Sequence, residues 1–382
     1  MNSLKLIFSN PKYFGAAWVF SSINILFGTW AIYIPTVKEK LQIDNGELGF
    51  AIFFLSLGVF TVFPIASLII NKIGVGKATW YGILISGLTA ILPFLAPSYF
   101  TLMLSLFLFG GANGFTDISM NTLVAELEKK NDAKFMSASH GFFSLGGVLA
   151  GLGSFLIGPL ENPVLHMGIA IILVVVVNAI FYRYYRNTKA DLQEKGSFSL
   201  KLFKPLILLA LISFISMASE GAIIDWSGIY LNEIAMAPEA LWGLGFLGFQ
   251  ITMTLGRFLG DTVSSRIGPI KIVLLGAILA IIGYVLVLTA NTYLAIFGFA
   301  VCGLGFSVMV PETFRIGANV PGVDTSKSVS FIAGSGYAGF LCAPPILGFL
   351  ADKYSLNLSF LVLLLGVITV LPISFLLKKR KS

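Results

Sequence analysis

Glu220, Asp225, Asp117 and His140 stand inside otherwise apolar stretches of this 382-residue chain. An ionisable side chain at the centre of a hydrocarbon layer costs at least about 2.5–3.5 kcal/mol, so each of these positions invites a chemical reading. Asp117 and His140 lie on segments joined by a short connection, which allows them to face each other at similar depth. An Asp–His pair in a low dielectric can hold or pass a proton, or it can tie two helices together or gate one end. Asn121 follows Asp117 by one helical turn, on the same face. Glu220 and Asp225 are five residues apart, so an ideal helix points them about 140° apart and they need not share a partner. For Glu220 the readings are contact with a polar ligand, protonation, or an interhelical hydrogen bond. For Asp225 they extend to a gate or a helix-end role.

Other candidates are paired by spacing. Glu312 and Arg315 are three residues apart, and Arg257 and Asp261 four apart, so each pair can form an ion bridge on one helical face. Both read as lying near the ends of their segments, as conformation-specific bridges or snorkelling side chains. Trp30 and Trp226, with Tyr33 and Tyr230 nearby, offer flat rings beside hydrogen-bonding groups. That suits a sugar-like ring or another small amphipathic molecule, and equally an interfacial aromatic belt. Asn24, Asn113, Asn121 and Gln250 are interior polar candidates, for a bound molecule or for helix–helix hydrogen bonds.

The elements that position these residues follow from composition. The chain is 57% hydrophobic and 11% charged, with mean hydropathy +0.91, too little charge to coat a soluble domain. Its charge-free runs reach the roughly 20 residues that a helix needs to cross about 30 Å of hydrocarbon. Only helices and closed barrels satisfy their backbone in lipid, and runs this long are not barrel strands. Twelve spans are predicted, at about 13–37, 48–70, 78–96, 99–126, 135–158, 164–182, 203–231, 240–261, 272–290, 293–316, 328–350 and 356–377. The fold class is all-α integral membrane. The first run is too long for a signal peptide and is kept as a span. Pro344-Pro345 should bend or break the eleventh. Cys302 and Cys342 both fall inside spans and suggest no disulfide or metal framework.

Twelve spans place both termini on one side. With that side cytoplasmic, only Lys38, Lys40 and Lys353 lie outside, and the other 22 of the 25 Lys and Arg lie inside. This topogenic asymmetry accounts for the net charge of +7 without a nucleic-acid partner. The longest hydrophilic stretch, 183–201, separates six spans from six, giving bundles 1–182 and 202–382 joined by a cytoplasmic linker. Internal matches at offsets of 191–196 support two parallel repeats. Ile73-Gly74-x-x-Lys77 meets Ile267-Gly268-x-x-Lys271, Gly114-Phe115 meets Gly305-Phe306, and Asn24, Thr29 and Trp30 meet Glu220, Asp225 and Trp226.

Several motifs carry a family resemblance. Gly256-Arg257-Phe258-Leu259-Gly260-Asp261 followed by Arg266-Ile267-Gly268-Pro269-Ile270-Lys271 resembles the loop signature of the major facilitator superfamily. The first-half copy keeps only Asn71-Lys72-Ile73-Gly74-Val75-Gly76-Lys77, with Ser67 where an acid is expected. The segments 114–121, 139–147 and 219–227 are similar to the fucose-permease-like subgroup and its uncharacterised bacterial relatives. The resemblance covers the whole chain and implies two pseudo-symmetric six-helix bundles. It also implies secondary transport of a small solute by alternating access, often proton-coupled, in a bacterial inner membrane, by a functional monomer. Export of drugs or metabolites by proton antiport is the alternative, and a non-transporting membrane sensor a more distant one. No nucleotide-binding, zinc-ligand or catalytic-triad motif occurs, so no cofactor and no enzymatic reaction is expected.

Overall fold

The apolar runs form long helices in the computed structural model, which describes residues 2–131, 135–189, 204–320 and 325–379. The twelve longest described helices are α1 Pro11–Ile32, α2 Asn45–Ile73, α3 Val75–Ala90, α4 Tyr99–Asn131, α5 Met136–Leu152, α6 Pro163–Tyr185, α7 Ile207–Glu233, α8 Leu244–Ile267, α9 Pro269–Val287, α10 Thr292–Gly317, α11 Thr325–Lys353 and α12 Leu356–Lys379. No strand occurs among the described residues. Eleven of these helices are long and apolar enough to cross a membrane, and α8 is not among them. α8 is 24 residues long and carries Gln250, Arg257 and Arg266.

Start signals in the sequence have visible causes. Asn10 and Asn162 cap α1 and α6, accepting from Lys12 N at 3.0 Å and Leu165 N at 3.1 Å, each followed by a proline at the first helical position. Asn291 accepts from both Tyr293 N and Leu294 N at the start of α10. The end of α1 is set at Tyr33, where the backbone turns before the short helix Ile34–Leu41. Of the bend or break expected at Pro344-Pro345, the break does not occur: α11 continues as one helix through both prolines. The linker residues 190–201 lie outside the described residues.

Two compact units are present, one of residues 1–43 and 51–194, the other of residues 44–50 and 195–382. In the first, α1 packs on α4, α5 and α6, and α3 on α4; in the second, α7 packs on α10, α11 and α12, and α9 on α10. Residues 44–50 belong to the second unit, where Asn45 Nδ2 donates to Glu233 Oε2 at 3.0 Å. The internal repeat is written in backbone geometry. Gly74 and Gly268, 194 residues apart, open α3 and α9 with φ of +87° and +89°, a region closed to side chains with a Cβ. Gly110 and Gly303 occupy matching close approaches: a Cβ there would collide with the Leu55 and Phe249 carbonyl oxygens, respectively. These small-residue seams let helices pack tightly.

Candidate functional site

The second unit brings Glu220 and Arg257 together. Glu220 sits thirteen residues from each end of α7, and Arg257 thirteen from the start of α8, so both charges lie near mid-helix, about 20 Å from the nearer helix end of α7. Arg257 Nη2 donates to Glu220 Oε1 at 3.2 Å, with side-chain exposures of 22% and 11%. The sequence places Arg257 near a helix end; α8 instead extends ten residues beyond it, and Glu220 is one carboxylate partner. The side chain of Asp261 lies outside the described residues. On α8, Gln250, Thr254 and Arg257 fall within about 60° of one another, a polar stripe along one face of the helix. Gln250 is buried, and Thr254 Oγ1 donates to its carbonyl at 2.7 Å.

One and a half turns beyond Glu220, Asp225 is 6% exposed, and its Oδ1 has no hydrogen-bond partner. Trp226 Nε1 and Ser227 Oγ beside it are likewise buried without partners. A run of three such groups on one helix is unusual, because buried polar atoms are normally satisfied. Tyr230, a turn further, has its hydroxyl 2.8 Å from both the Val287 carbonyl oxygen and Asn357 Oδ1. On α10, Arg315 Nη1 pairs with Glu312 Oε1 at 3.1 Å and donates to Ser264 Oγ of α8 at 3.0 Å. That cluster lies in the last turns of α10 and α8, apart from mid-helix.

In the first unit Asp117 and His140 do not meet. α4 runs to Asn131, five residues past its predicted end, which leaves Asp117 fourteen residues from that end. His140 is four residues into α5. Asp117 is half-buried and accepts at Oδ1 from Asn121 Nδ2 at 3.3 Å, while the same amide donates to its carbonyl at 2.9 Å. The His140 ring is exposed and stands edge-on to Phe20, 5.1 Å between centroids. Asn24 is fully buried and donates to the Phe143 carbonyl at 2.9 Å, joining α1 to α5. Asn113 is buried on α4 with its Oδ1 unpartnered. Trp30 and Trp226 are both fully buried, which rules out an interfacial belt for them; the Trp30 ring packs at 5.9 Å against Phe94.

A sequence profile for the Major Facilitator Superfamily matches residues 16–313 and 209–382. The chain belongs to the Major Facilitator Superfamily. It is therefore a multi-pass membrane transporter with that superfamily's all-helical fold. Membrane protein MosC of Rhizobium meliloti is 28% identical over 369 residues, covering 96% of this chain and 90% of that protein. The L-fucose-proton symporter of Escherichia coli strain K12 is 21% identical over 384 residues, covering 87% of this chain and 86% of that one. A crystal structure of the nucleoside transporter NupG has a TM-score of 0.71 at 14% identity, covering 96% of this chain and 98% of that one.

Three features of this superfamily member escape sequence reasoning. Buried His166 on α6 has its Nδ1 3.1 Å from the Tyr33 hydroxyl, and Tyr33 meets Phe94 edge-on. As an ionisable group in an apolar run, His166 carried the same signal as Asp117. Buried Asn178 donates to Ser22 Oγ at 2.7 Å, a second polar tie to α1. Glu128 Oε1 accepts from the Phe135 and Met136 amides and so caps α5 from the end of α4. Its spacing of seven and eight residues from those amides matches no local capping pattern. Among the described residues no group of three His, Cys, Asp or Glu is arranged to hold a metal.

Proposed function

We propose that this transporter moves a small polar organic solute, sugar-like in its hydroxyl chemistry, by alternating access coupled to protons. The observation that carries this reading is the Glu220–Arg257 pair at the middle of α7 and α8. A buried ion pair is poor value for stability, because desolvation offsets most of its Coulomb energy. Its use is chemical: protonating Glu220 releases a guanidinium whose planar donors suit solute oxygens. Solute and proton then act on one pair, which is the requirement for coupling. Asp225, with a buried unsatisfied oxygen, is assigned to the same solute or proton path. Asp117 with Asn121 on α4 is assigned to the proton path of the first unit, and Gln250, Asn113, Asn24 and Trp30 are further solute-contact candidates. Glu312–Arg315 and Arg257, with Asp261, belong to the conformational bridges. The similarity to a fucose-proton symporter over most of the chain supports uptake with protons.

The positive-inside distribution supports cytoplasmic termini in a bacterial inner membrane, and the two-bundle design supports a functional monomer. The test is a thermal-shift screen of purified protein against sugars, nucleosides, organic acids and amino acids, since a ligand stabilises the state it binds. A hit is then added outside proteoliposomes that hold a pH dye. Acidification of the lumen on adding the solute is the expected result; alkalinisation of the lumen would make the protein an antiporter instead.

A further inference from the structure

We propose that an anionic phospholipid binds in a groove on the second unit, its acyl chain between α7, α11 and α12 and its headgroup at Lys204 and Lys378. The groove has a volume of about 180 Å³. Phe214, Ile215 and Ala218 of α7 line it together with Ala343 and Ile346 of α11 and Val362 of α12. Ile346 and Val362 are 52% and 40% exposed, so the groove opens outward between helices that are long and apolar enough to span a bilayer. Apolar cavities of roughly 150 Å³ stay dry and accept hydrocarbon, because a water there would lack its two to four polar partners. In a membrane the available hydrocarbon is a lipid tail.

Charge at one end selects the headgroup. Lys204 is exposed immediately before α7, and Lys378 is exposed at the far end of α12. α7 and α12 are packed neighbours whose ends bring these lysines to the same side of the unit. Lys204 precedes Phe214 by ten residues and Lys378 follows Gly366 by twelve, distances of about 15 and 18 Å along a helix. That is the depth of one hydrocarbon leaflet, half of about 30 Å. A phospholipid anchored at the lysines therefore reaches the groove with its tail. A basic pair at the membrane surface favours an anionic headgroup over a neutral one. Ser219 of α7 also lines the groove.

The test uses the full-length transporter in nanodiscs containing phosphatidylglycerol with a photoactivatable group at mid-chain. Labelling is expected on peptides carrying residues 342–347 and 362–366, above that on the exposed face of α6 at Ile172. Gly366→Leu tests occupancy, because a Cβ there meets only Ile215 Cγ2, at 3.7 Å, and the added side chain fills the groove. Labelling of those peptides should fall roughly tenfold, the loss that displacing about two methylenes produces. Lys204→Glu with Lys378→Glu alters only exposed positions and should abolish the preference for phosphatidylglycerol over a phosphatidylcholine probe. Equal labelling of α6 and the groove, labelling unchanged by Gly366→Leu, or a headgroup preference that survives the lysine variants would overturn the proposal.

Discussion

Glu220 and Arg257 hold opposite charges 3.2 Å apart near the middle of α7 and α8. Removing one partner leaves an uncompensated charge, which costs about 3–5 kcal/mol when fully buried. The partial exposure of this pair places Arg257→Ala toward the lower end. Arg257→Ala should therefore lower the unfolding midpoint in detergent, and Glu220→Gln combined with Arg257→Gln should recover most of the loss without restoring transport. A double variant as unstable as the single one would show that the pair is not the interaction at work. At Tyr33–His166 the scale is smaller: Tyr33→Phe removes one hydrogen bond at 3.1 Å and should cost about 0.5–1.5 kcal/mol, read by the same unfolding measurement. The residue types at these sites were legible in the sequence because ionisable groups interrupt apolar runs. Their partners were not. Arg257 has Asp261 four residues away in sequence, whereas its bridge to Glu220 comes from the packing of α7 against α8.

Helix starts and glycine positions carry the next level. Gly74 and Gly268 open α3 and α9 with nearly equal positive φ, and the matching Ile-Gly-x-x-Lys motifs showed in the sequence that these two turns correspond. A Cβ at Gly268 would meet nothing within 4 Å, so Gly268→Ala tests backbone strain with no steric term. It should cost about 1–3 kcal/mol in the unfolding free energy; no loss would mean that the turn relaxes to negative φ. Helix lengths were less legible. α4 continues to Asn131 through Glu126, Glu128, Lys129 and Lys130, because charged residues end an apolar run without ending a helix. That extension is what separates Asp117 from His140. α11 likewise passes through Pro344 and Pro345, since a proline in a packed helix removes a hydrogen bond without dictating a stop.

The whole molecule is a Major Facilitator Superfamily transporter whose repeat scaffold is symmetric and whose polar groups are not. Asn24 forms a helix tie to Phe143, whereas its repeat counterpart Glu220 forms an ion pair with Arg257. The repeat at offsets of 191–196 shows in the sequence because glycines recur at matching turns and seams, Gly74 with Gly268 and Gly110 with Gly303. The chemically distinct residues break the repeat and had to be located by structure. Orientation is tested at this scale: fluorescent fusions at either terminus should be bright in the bacterial cytoplasm, and dark fusions would reverse the topology. The central claim is that the Glu220–Arg257 pair couples solute to proton. Its most direct test is proton flux into proteoliposomes bearing a pH dye, driven by a solute identified in the thermal-shift screen, for wild type and Glu220→Gln side by side. The account predicts solute-dependent proton entry in the wild type and none in Glu220→Gln, with solute binding retained. Equal proton entry in both would contradict it.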